Sequence, residues 1–164
     1  MHSLETIYKD ISPKIYAFFY VKTYNKETAE DLTQEVFYSA IKSYSSFKGN
    51  SSLETWIFSI AKNILKKHFR KHSNSKILSI DDINQSLHTD ANIENSLIEN
   101  EERLLLLNLI ETLDMLTKEI VILRVYSELS FKDIGVLVDK SENYARVTFH
   151  RAKIKLQKEL EGYN

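Results

Sequence analysis

The sequence lacks cysteine and has little proline or glycine, and each shortage excludes a class of structure. Without any cysteine, the 164 residues can form neither disulfides nor thiolate metal sites. One proline and three glycines leave few positions that interrupt a helix. Long segments instead place apolar residues every three or four positions. This combination predicts an all-α protein.

The sequence also lacks a long apolar run. Its first residues, MHSLETIYKDISPK, carry charges throughout, which predicts neither a signal peptide nor a membrane span. We therefore expect a cytoplasmic protein that does not insert into a membrane.

The net charge of −1 conceals two dense basic runs. Residues 62–71 and residues 146–158 each contain five lysines or arginines and no acidic residue. Near-neutrality of the whole chain argues against a nonspecific polyanion binder. Two local basic patches fit two separate contacts with nucleic acid.

Residues 129–156 have the pattern of two helices joined by a sharp turn. Ser130 and Ser141 are suitable N-caps for the two helices. Their apolar faces consist of Phe131, Ile134, Leu137 and Val138, then Ala145, Phe149, Ala152 and Leu156. A short helix, a turn and a longer basic helix are typical of a helix-turn-helix, whose second helix enters the major groove. The alternative is an ordinary helical hairpin with a solvated basic face.

Five other segments have helical periodicity. The first, over residues 4–19, contains Pro13, which we expect to bend or divide it. The second covers residues 29–44, with Thr28 as its expected cap. The third covers residues 53–72 after a Gly49-Asn50 turn, with Ser51 or Ser52 as cap. The last two cover residues 94–113 and 117–125.

Between the third and fourth of these segments the periodicity is lost. The region is polar, acidic and rich in Ser and Asn, and we expect one short helical turn, over Ile80–Ile83. The predicted fold is therefore two small helical domains, residues 1–72 and 96–164, joined by a flexible linker over residues 73–95. The C-terminal domain contains the helix-turn-helix.

Three segments resemble, in order and spacing, those of the extracytoplasmic-function (ECF) sigma factors of bacterial RNA polymerase. They are AEDLTQEVF at 29–37, FKGNSSLETWIFSIAKNILKKHFRK at 47–71, and LRVYSELSFKDIGVLVDKSENYARVTFHRAKIKL at 123–156. The resemblance covers nearly the whole chain. It implies an alternative sigma factor that binds core RNA polymerase and directs promoter-specific initiation through the −10 and −35 elements. It also implies an anti-sigma factor as a partner, and neither a cofactor nor catalysis by the chain itself.

The resemblance also implies three sets of site residues. The polymerase clamp would contact Asp31, Gln34 and Glu35, a face that composition alone would assign to solvent. The −10 element would contact Lys48, Asn50, Ser51, Ser52, Trp56, Lys62, Asn63, Lys66 and Arg70, among which Trp56 and Asn63 occupy characteristic positions of the family. The −35 element would contact Ser141, Asn143, Tyr144, Arg146, Val147, His150, Arg151 and Lys155.

Within the last set, residue chemistry predicts different tasks. Arg146 can donate two hydrogen bonds to guanine, and Val147 offers methyl groups to thymine. Arg151 and Lys155 are better suited to phosphates.

Three positions depart from the family pattern. Asp114 stands where proline is usual, and Asp139 stands where the turn usually has glycine. Aspartate tolerates a left-handed backbone better than most residues, so the turn can form. Lys67 replaces a residue that is commonly acidic or polar, which leaves the preferred −10 sequence open.

Two other classes of function, a stand-alone DNA-binding regulator and an enzyme, fit the sequence less well. A stand-alone helix-turn-helix regulator of duplex DNA would explain residues 129–156 but would leave segments 29–37 and 47–71 without a role. An enzyme would need a nucleophile or metal motif, and neither is visible. His68 and His72 are four residues apart, but their basic neighbours oppose a metal ion. No metal site is expected.

Overall fold

The computed structural model describes residues 4–72 and 95–163, and all regular structure in these ranges is helical. The helices are α1 (Leu4–Thr23), α2 (Lys26–Ser43), α3 (Leu53–Lys71), α4 (Asn95–Glu111), α5 (Met115–Val125), α6 (Phe131–Val138) and α7 (Glu142–Glu161), with a short 3-10 turn over Tyr44–Ser46. The all-α prediction is confirmed. None of the helices in the described part of the chain is long and apolar enough to cross a membrane.

The helices divide between two compact units, with α1–α3 in the first and α4–α7 in the second. The expected helical turn over Ile80–Ile83 lies outside the described residues. So does the expected linker, except for Asn95, which begins α4.

The first unit is held together by large aromatic and aliphatic side chains. Ile15, Phe18, Val36 and Phe58 are fully buried, and the rings of Phe18 and Phe58 meet edge to face at 6.0 Å. Burying a side chain of this size stabilises a fold by about 1.5–3 kcal/mol.

An ion pair adds a link between two helices of the same unit. Lys14 of α1 donates to Glu54 of α3 at 2.9 Å, and both side chains are largely shielded from solvent. Helix α1 also packs along α2, and α2 along α3. The three helices therefore hold the side chains on the remaining faces of α2 and α3 in fixed relation to each other.

One expectation about this unit was wrong and another was wrong in part. Pro13 does not divide α1, which is continuous from Leu4 to Thr23. Proline removes one backbone donor, but Ile11 and Ile15 on either side are buried, and their packing holds the helix together. Thr28 does not cap α2: Asn25 is the cap, and its side-chain oxygen accepts from the Thr28 N–H at 2.8 Å. The helix therefore begins earlier, at Lys26.

The connection between α2 and α3 follows the sequence prediction. Gly49 has a φ of +72°, a conformation that costs glycine little. Ser52 caps α3, because its hydroxyl accepts a hydrogen bond from the Thr55 N–H at 3.1 Å. The loop over residues 47–52 is thus bounded by a fixed helix start.

In the second unit, α5 starts two residues earlier than its periodicity predicts. Asp114 is the reason: its carboxylate accepts from the Thr117 N–H at 3.1 Å, and its carbonyl accepts from the Lys118 N–H at 2.9 Å. The pKa of Asp114 is lowered, chiefly by a hydrogen bond with the Thr117 side chain and next by the bond from the Thr117 N–H. Asp114, which stands where the family usually has proline, therefore starts the helix by capping it.

The helix-turn-helix prediction is confirmed in detail. Ser130 caps α6 and Ser141 caps α7, each accepting a hydrogen bond from the N–H three residues on. Between them, Asp139 adopts the left-handed conformation with φ 57° and ψ 47°. The Lys140 N–H closes the turn on the Gly135 carbonyl at 2.8 Å.

Small residues let the two helices approach closely at this turn. A Cβ on Gly135 would lie 2.8 Å from the Lys140 carbonyl oxygen, so no larger residue fits without movement of the backbone. Ala145 and Ala152 are buried on the inner face of α7, together with Leu156. The opposite face of α7 is thereby turned outward.

Candidate polymerase- and promoter-binding surfaces

The outer face of α7 carries most of the residues expected to contact the −35 element. Exposed side chains in this set are those of Asn143, Tyr144, Val147, His150, Arg151 and Lys155. Ser141 is also exposed, but its hydroxyl is engaged in capping α7. The arrangement presents short polar and aromatic side chains at the start of the helix and basic ones further along.

Arg146 differs from its neighbours because it is only partly exposed and is held by two groups. Its guanidinium donates to the Glu142 carboxylate at 2.8 Å, one helical turn earlier. The same guanidinium lies 5.6 Å from the centre of the Phe131 ring, which belongs to α6. Arg124 of α5 lies over that ring as well, at 4.2 Å.

Sequence reasoning placed Glu142 favourably at the start of α7 but assigned no part in DNA reading to Glu142 or Arg124, and it treated Phe131 only as a core residue. The Glu142–Arg146 pair could have been found from its spacing, because residues four apart are neighbours on a helix. The two contacts with Phe131 join three different helices, and no spacing in the sequence indicates them.

Helix α3 presents a stripe of residues expected to contact the −10 element. Asn63, Lys66 and Arg70 are exposed, and Lys62 is partly exposed beside them. With Trp56, they recur at helical spacing, so the stripe runs about 20 Å along one side of α3. The stripe ends in the basic last turn of the helix.

The loop that precedes α3 adds aromatic surface to this stripe. Lys48 and Asn50 are exposed, Ser51 is partly exposed, and Ser52 is exposed but engaged as the cap. The Phe47 ring lies 5.2 Å from that of Trp56 and 6.5 Å from that of Tyr44. Trp56 is half-buried and lines a small apolar groove together with residues of α1, α2 and the 3-10 turn, namely Ile7, Tyr8, Phe37, Ala40, Ile41 and Tyr44. Sequence reasoning missed the contribution of Tyr8 and Tyr44.

The acidic face expected to bind polymerase is on α2. Asp31, Gln34 and Glu35 are all exposed, while Leu32 and Thr33 between them and Val36 directly after them are buried. The two sets alternate as the helical period requires, so the three polar side chains share one outward face.

Two histidines stand at the basic end of α3. The rings of His68 and His72 lie 4.4 Å apart, and the His72 Nδ1 faces the His68 carbonyl oxygen at 2.9 Å. Partial burial lowers the pKa of His68, the neighbouring His72 lowers it further, and Glu35 of α2 opposes the shift. Within the described part of the chain, no three metal-binding side chains come together.

Comparison with known proteins matches both units. The model of sigma-70 region 2 matches residues 7–75, and that of sigma-70 region 4 matches residues 103–156. The chain is 28% identical over 161 residues to RNA polymerase sigma factor YlaC of Bacillus subtilis, covering 96% of this chain and 92% of that protein. It is 27% identical over 165 residues to ECF RNA polymerase sigma factor SigX of the same species, covering 97% of this chain and 84% of that one.

A solved structure shares the fold. It is the sigma factor RpoE in complex with the anti-sigma factor NepR from Bartonella quintana, with a TM-score of 0.67 at 22% identity over 96% of each chain. With two family models that together match most of its residues, the chain belongs to the sigma-70 family of transcription initiation factors. Within that family it is an ECF sigma factor, an alternative sigma factor that directs promoter-specific transcription initiation.

Proposed function

We propose that the acidic face of α2, formed by Asp31, Gln34 and Glu35, binds the clamp of core RNA polymerase. Support comes from its exposure, since charged side chains on a packed three-helix unit are available only where no neighbouring helix covers them. Two carboxylates one turn apart suit a basic partner surface and favour fast, salt-dependent association.

The basic stripe of α3 and the loop over residues 47–52 bind the −10 element. Lysine and arginine neutralise phosphates, and the aromatic group of Phe47 and Trp56 lies at the start of the stripe. Aromatic side chains stack on unpaired bases, at about 1–3 kcal/mol per base. The two features together suit a promoter whose strands have separated, and holding one base outside the stack costs only a few kcal/mol.

Helix α7 reads the −35 element as duplex. Its first turns carry Asn143, Arg146 and Val147, which can contact base edges in the major groove. Arg151 and Lys155 lie further along, where the helix leaves the groove, and bind phosphates.

One observation carries this assignment. A single three-helix unit presents an acidic face on α2 and a basic, aromatic surface on α3, while the recognition helix belongs to the other unit. A regulator that only binds duplex DNA needs α6 and α7 but has no use for the first unit. The assignment corresponds to domains over residues 1–72 and 96–164 joined by a linker over residues 73–95, of which Asn95 begins α4.

The same proposal defines partners and location. The chain works in the cytoplasm with core polymerase and promoter DNA, and the polymerase performs the catalysis, so the chain needs no cofactor. An anti-sigma factor restrains it, in line with the RpoE–NepR pair of similar fold.

The test is transcription in vitro with a bacterial core RNA polymerase, followed by mapping of start sites. We expect specific starts only when both chain and core are present, at promoters that share −10 and −35 sequences. Retarded migration of promoter duplex by the chain alone, with no effect of the chain on start sites, would instead support the stand-alone regulator.

A further inference from the structure

The ring of Phe131 lies beneath the part of α7 that is proposed to read bases. Its centre is 5.6 Å from the Phe149 ring and 6.1 Å from the His150 ring, and 5.6 Å from the Arg146 guanidinium carbon. Residues 146, 149 and 150 are three and four positions apart, so they form one face of a single turn. Phe131 therefore contacts two residues of the proposed −35 surface, Arg146 and His150, without being part of the recognition helix.

Arg146 is fixed at two points on its guanidinium. The Glu142 carboxylate accepts a hydrogen bond at 2.8 Å, and the Phe131 ring provides a cation–π contact. The ion pair is exposed, with 43% and 50% of the two side chains accessible, so alone it restrains Arg146 only weakly. The ring approaches from another helix and restricts the same side chain from a second direction.

Arg124 of α5 shares this ring with Arg146. It lies at 4.2 Å from the ring centre, closer than Arg146, so two guanidinium groups contact one aromatic side chain. Of these two groups, Arg146 is the one that also pairs with the Glu142 carboxylate.

We propose that Phe131 and Glu142 are positioning residues that set −35 specificity through Arg146. The inference rests on the proposed reading of the −35 element by α7 and extends it to two residues that need not touch DNA. A long arginine side chain that is already restrained loses less conformational entropy when it binds a base, at about 0.5–1.5 kcal/mol per side chain. Loss of the restraint should therefore reduce discrimination about two- to tenfold.

The experiment measures transcription by the reconstituted holoenzyme from promoters with every single substitution in the −35 element. Five forms are compared: the wild type, Phe131→Leu, Phe131→Tyr, Arg146→Ala, and the Phe131→Leu/Arg146→Ala double variant. Ratios between promoters are compared within each form, because partial unfolding lowers all promoters by the same factor and leaves the ratios unchanged.

We expect Phe131→Leu to lower discrimination about two- to tenfold at the positions that Arg146→Ala also affects. Phe131→Tyr keeps the ring and should keep the preference. In the Arg146→Ala background, Phe131→Leu should have no further effect at those positions. The role of Phe131 would be overturned if Phe131→Leu left the promoter ratios unchanged. It would also be overturned if Phe131→Leu lowered discrimination as much in the Arg146→Ala background as in the wild type.

A second pair of variants tests Glu142. Glu142→Gln and Glu161→Gln remove the same charge from opposite ends of α7, so each weakens repulsion of the DNA phosphates. Only Glu142→Gln should lower discrimination at the Arg146 positions. If the promoter ratios are the same in both variants, Glu142 acts only through the net charge of α7, and its positioning role is overturned.

The proposed function of α7 and the positioning role of Phe131 and Glu142 would fail in different ways. If the wild-type holoenzyme does not discriminate among −35 variants at all, the proposed function of α7 is wrong, and the inference about Phe131 and Glu142 is overturned with it. If the wild type discriminates and the variants do so equally well, only the inference is wrong.

Discussion

At the scale of single residues, the proposed reading of the −35 element assigns two kinds of DNA contact to different positions along α7. Arg146 lies in the first turns, next to the capped start of the helix, whereas Lys155 lies about two and a half turns further on. A recognition helix presents its early residues to base edges and its later ones to the backbone. The same positive charge should therefore have different effects at the two sites.

Arg146→Ala should relax the preference at one or two −35 positions and cost about 1–3 kcal/mol on the best promoter. Lys155→Ala should weaken all promoters alike and reduce the salt slope of binding by about one. Transcription from a panel of −35 variants at several salt concentrations distinguishes the two effects. If Arg146→Ala lowers every promoter by one common factor, Arg146 contacts phosphate and the helix is oriented differently in the groove.

Asp114 shows how one charged residue supports a helix start. Its pKa is depressed from the ordinary value of 3.8 because the ionised carboxylate accepts hydrogen bonds at the start of α5. When the pKa of a carboxyl is lower in the folded state, the group stabilises the fold fully at pH values above its ordinary, unfolded-state pKa. This contribution is lost as the pH falls through the folded-state pKa.

Asp114→Ala should therefore lower the melting temperature at neutral pH, and the difference from wild type should shrink below about pH 4. Asp114→Asn, which keeps a side-chain acceptor, should fall between the two. The measurement is thermal unfolding followed by circular dichroism at a series of pH values. A difference between wild type and Asp114→Ala that does not change with pH would contradict a role for the ionised carboxylate.

At the scale of elements, the helix-turn-helix depends on how closely α6 approaches the start of α7. The backbone of Gly135 faces the Lys140 carbonyl and the first residues of α7, and no Cβ can be placed there without a clash. Asp139 supplies the reversal of direction in a left-handed conformation. The angle between the two helices therefore depends on these two positions.

Gly135→Ala should destabilise the second unit by about 1–3 kcal/mol, because the added methyl forces the turn to open. Gly162→Ala is the matched control, since a Cβ there meets its nearest atom at 3.4 Å. Circular dichroism follows all helices, while the single tryptophan, Trp56, reports on the first unit. We expect Gly135→Ala to shift the circular dichroism transition and to change the fluorescence transition little. Equal effects of the two glycine substitutions would show that the turn tolerates a side chain.

At the scale of the whole molecule, the net charge of −1 results from opposed local surfaces rather than from an even mixture. The acidic face of α2 suits a protein partner, and the basic surfaces of α3 and α7 suit DNA. One chain can then bind polymerase and promoter at the same time, because the two partners require opposite charge on different helices.

Charge reversal of Asp31 and Glu35 to lysine should abolish binding to core polymerase and leave the fold intact, because both side chains are exposed. The control is the pair Asp10→Lys and Glu161→Lys, which changes the net charge equally at exposed positions elsewhere. Affinity for core polymerase and matched circular dichroism spectra provide the measurement. If the Asp31/Glu35 variant binds core as well as wild type does, polymerase is bound by another surface.

Local chemistry in the sequence determined most of the elements. Helical periods and the caps at Ser130 and Ser141 depend on residues within four positions of each other, and they were predicted. The cap of α3 was predicted as Ser51 or Ser52, and the turn at Asp139 was expected from the family resemblance. The exposed face of α2 follows from the same period. Family membership likewise follows from motifs that can be recognised in order along the chain.

Contacts between helices were decided only by the tertiary structure. Packing keeps α1 continuous through Pro13, and it brings Arg124, Phe131 and Arg146 together from three helices. It also places Tyr8 and Tyr44 beside Trp56 in one apolar groove. The physical reason is that sequence spacing specifies which face of a helix a residue occupies, whereas the neighbour it meets depends on how the helices cross.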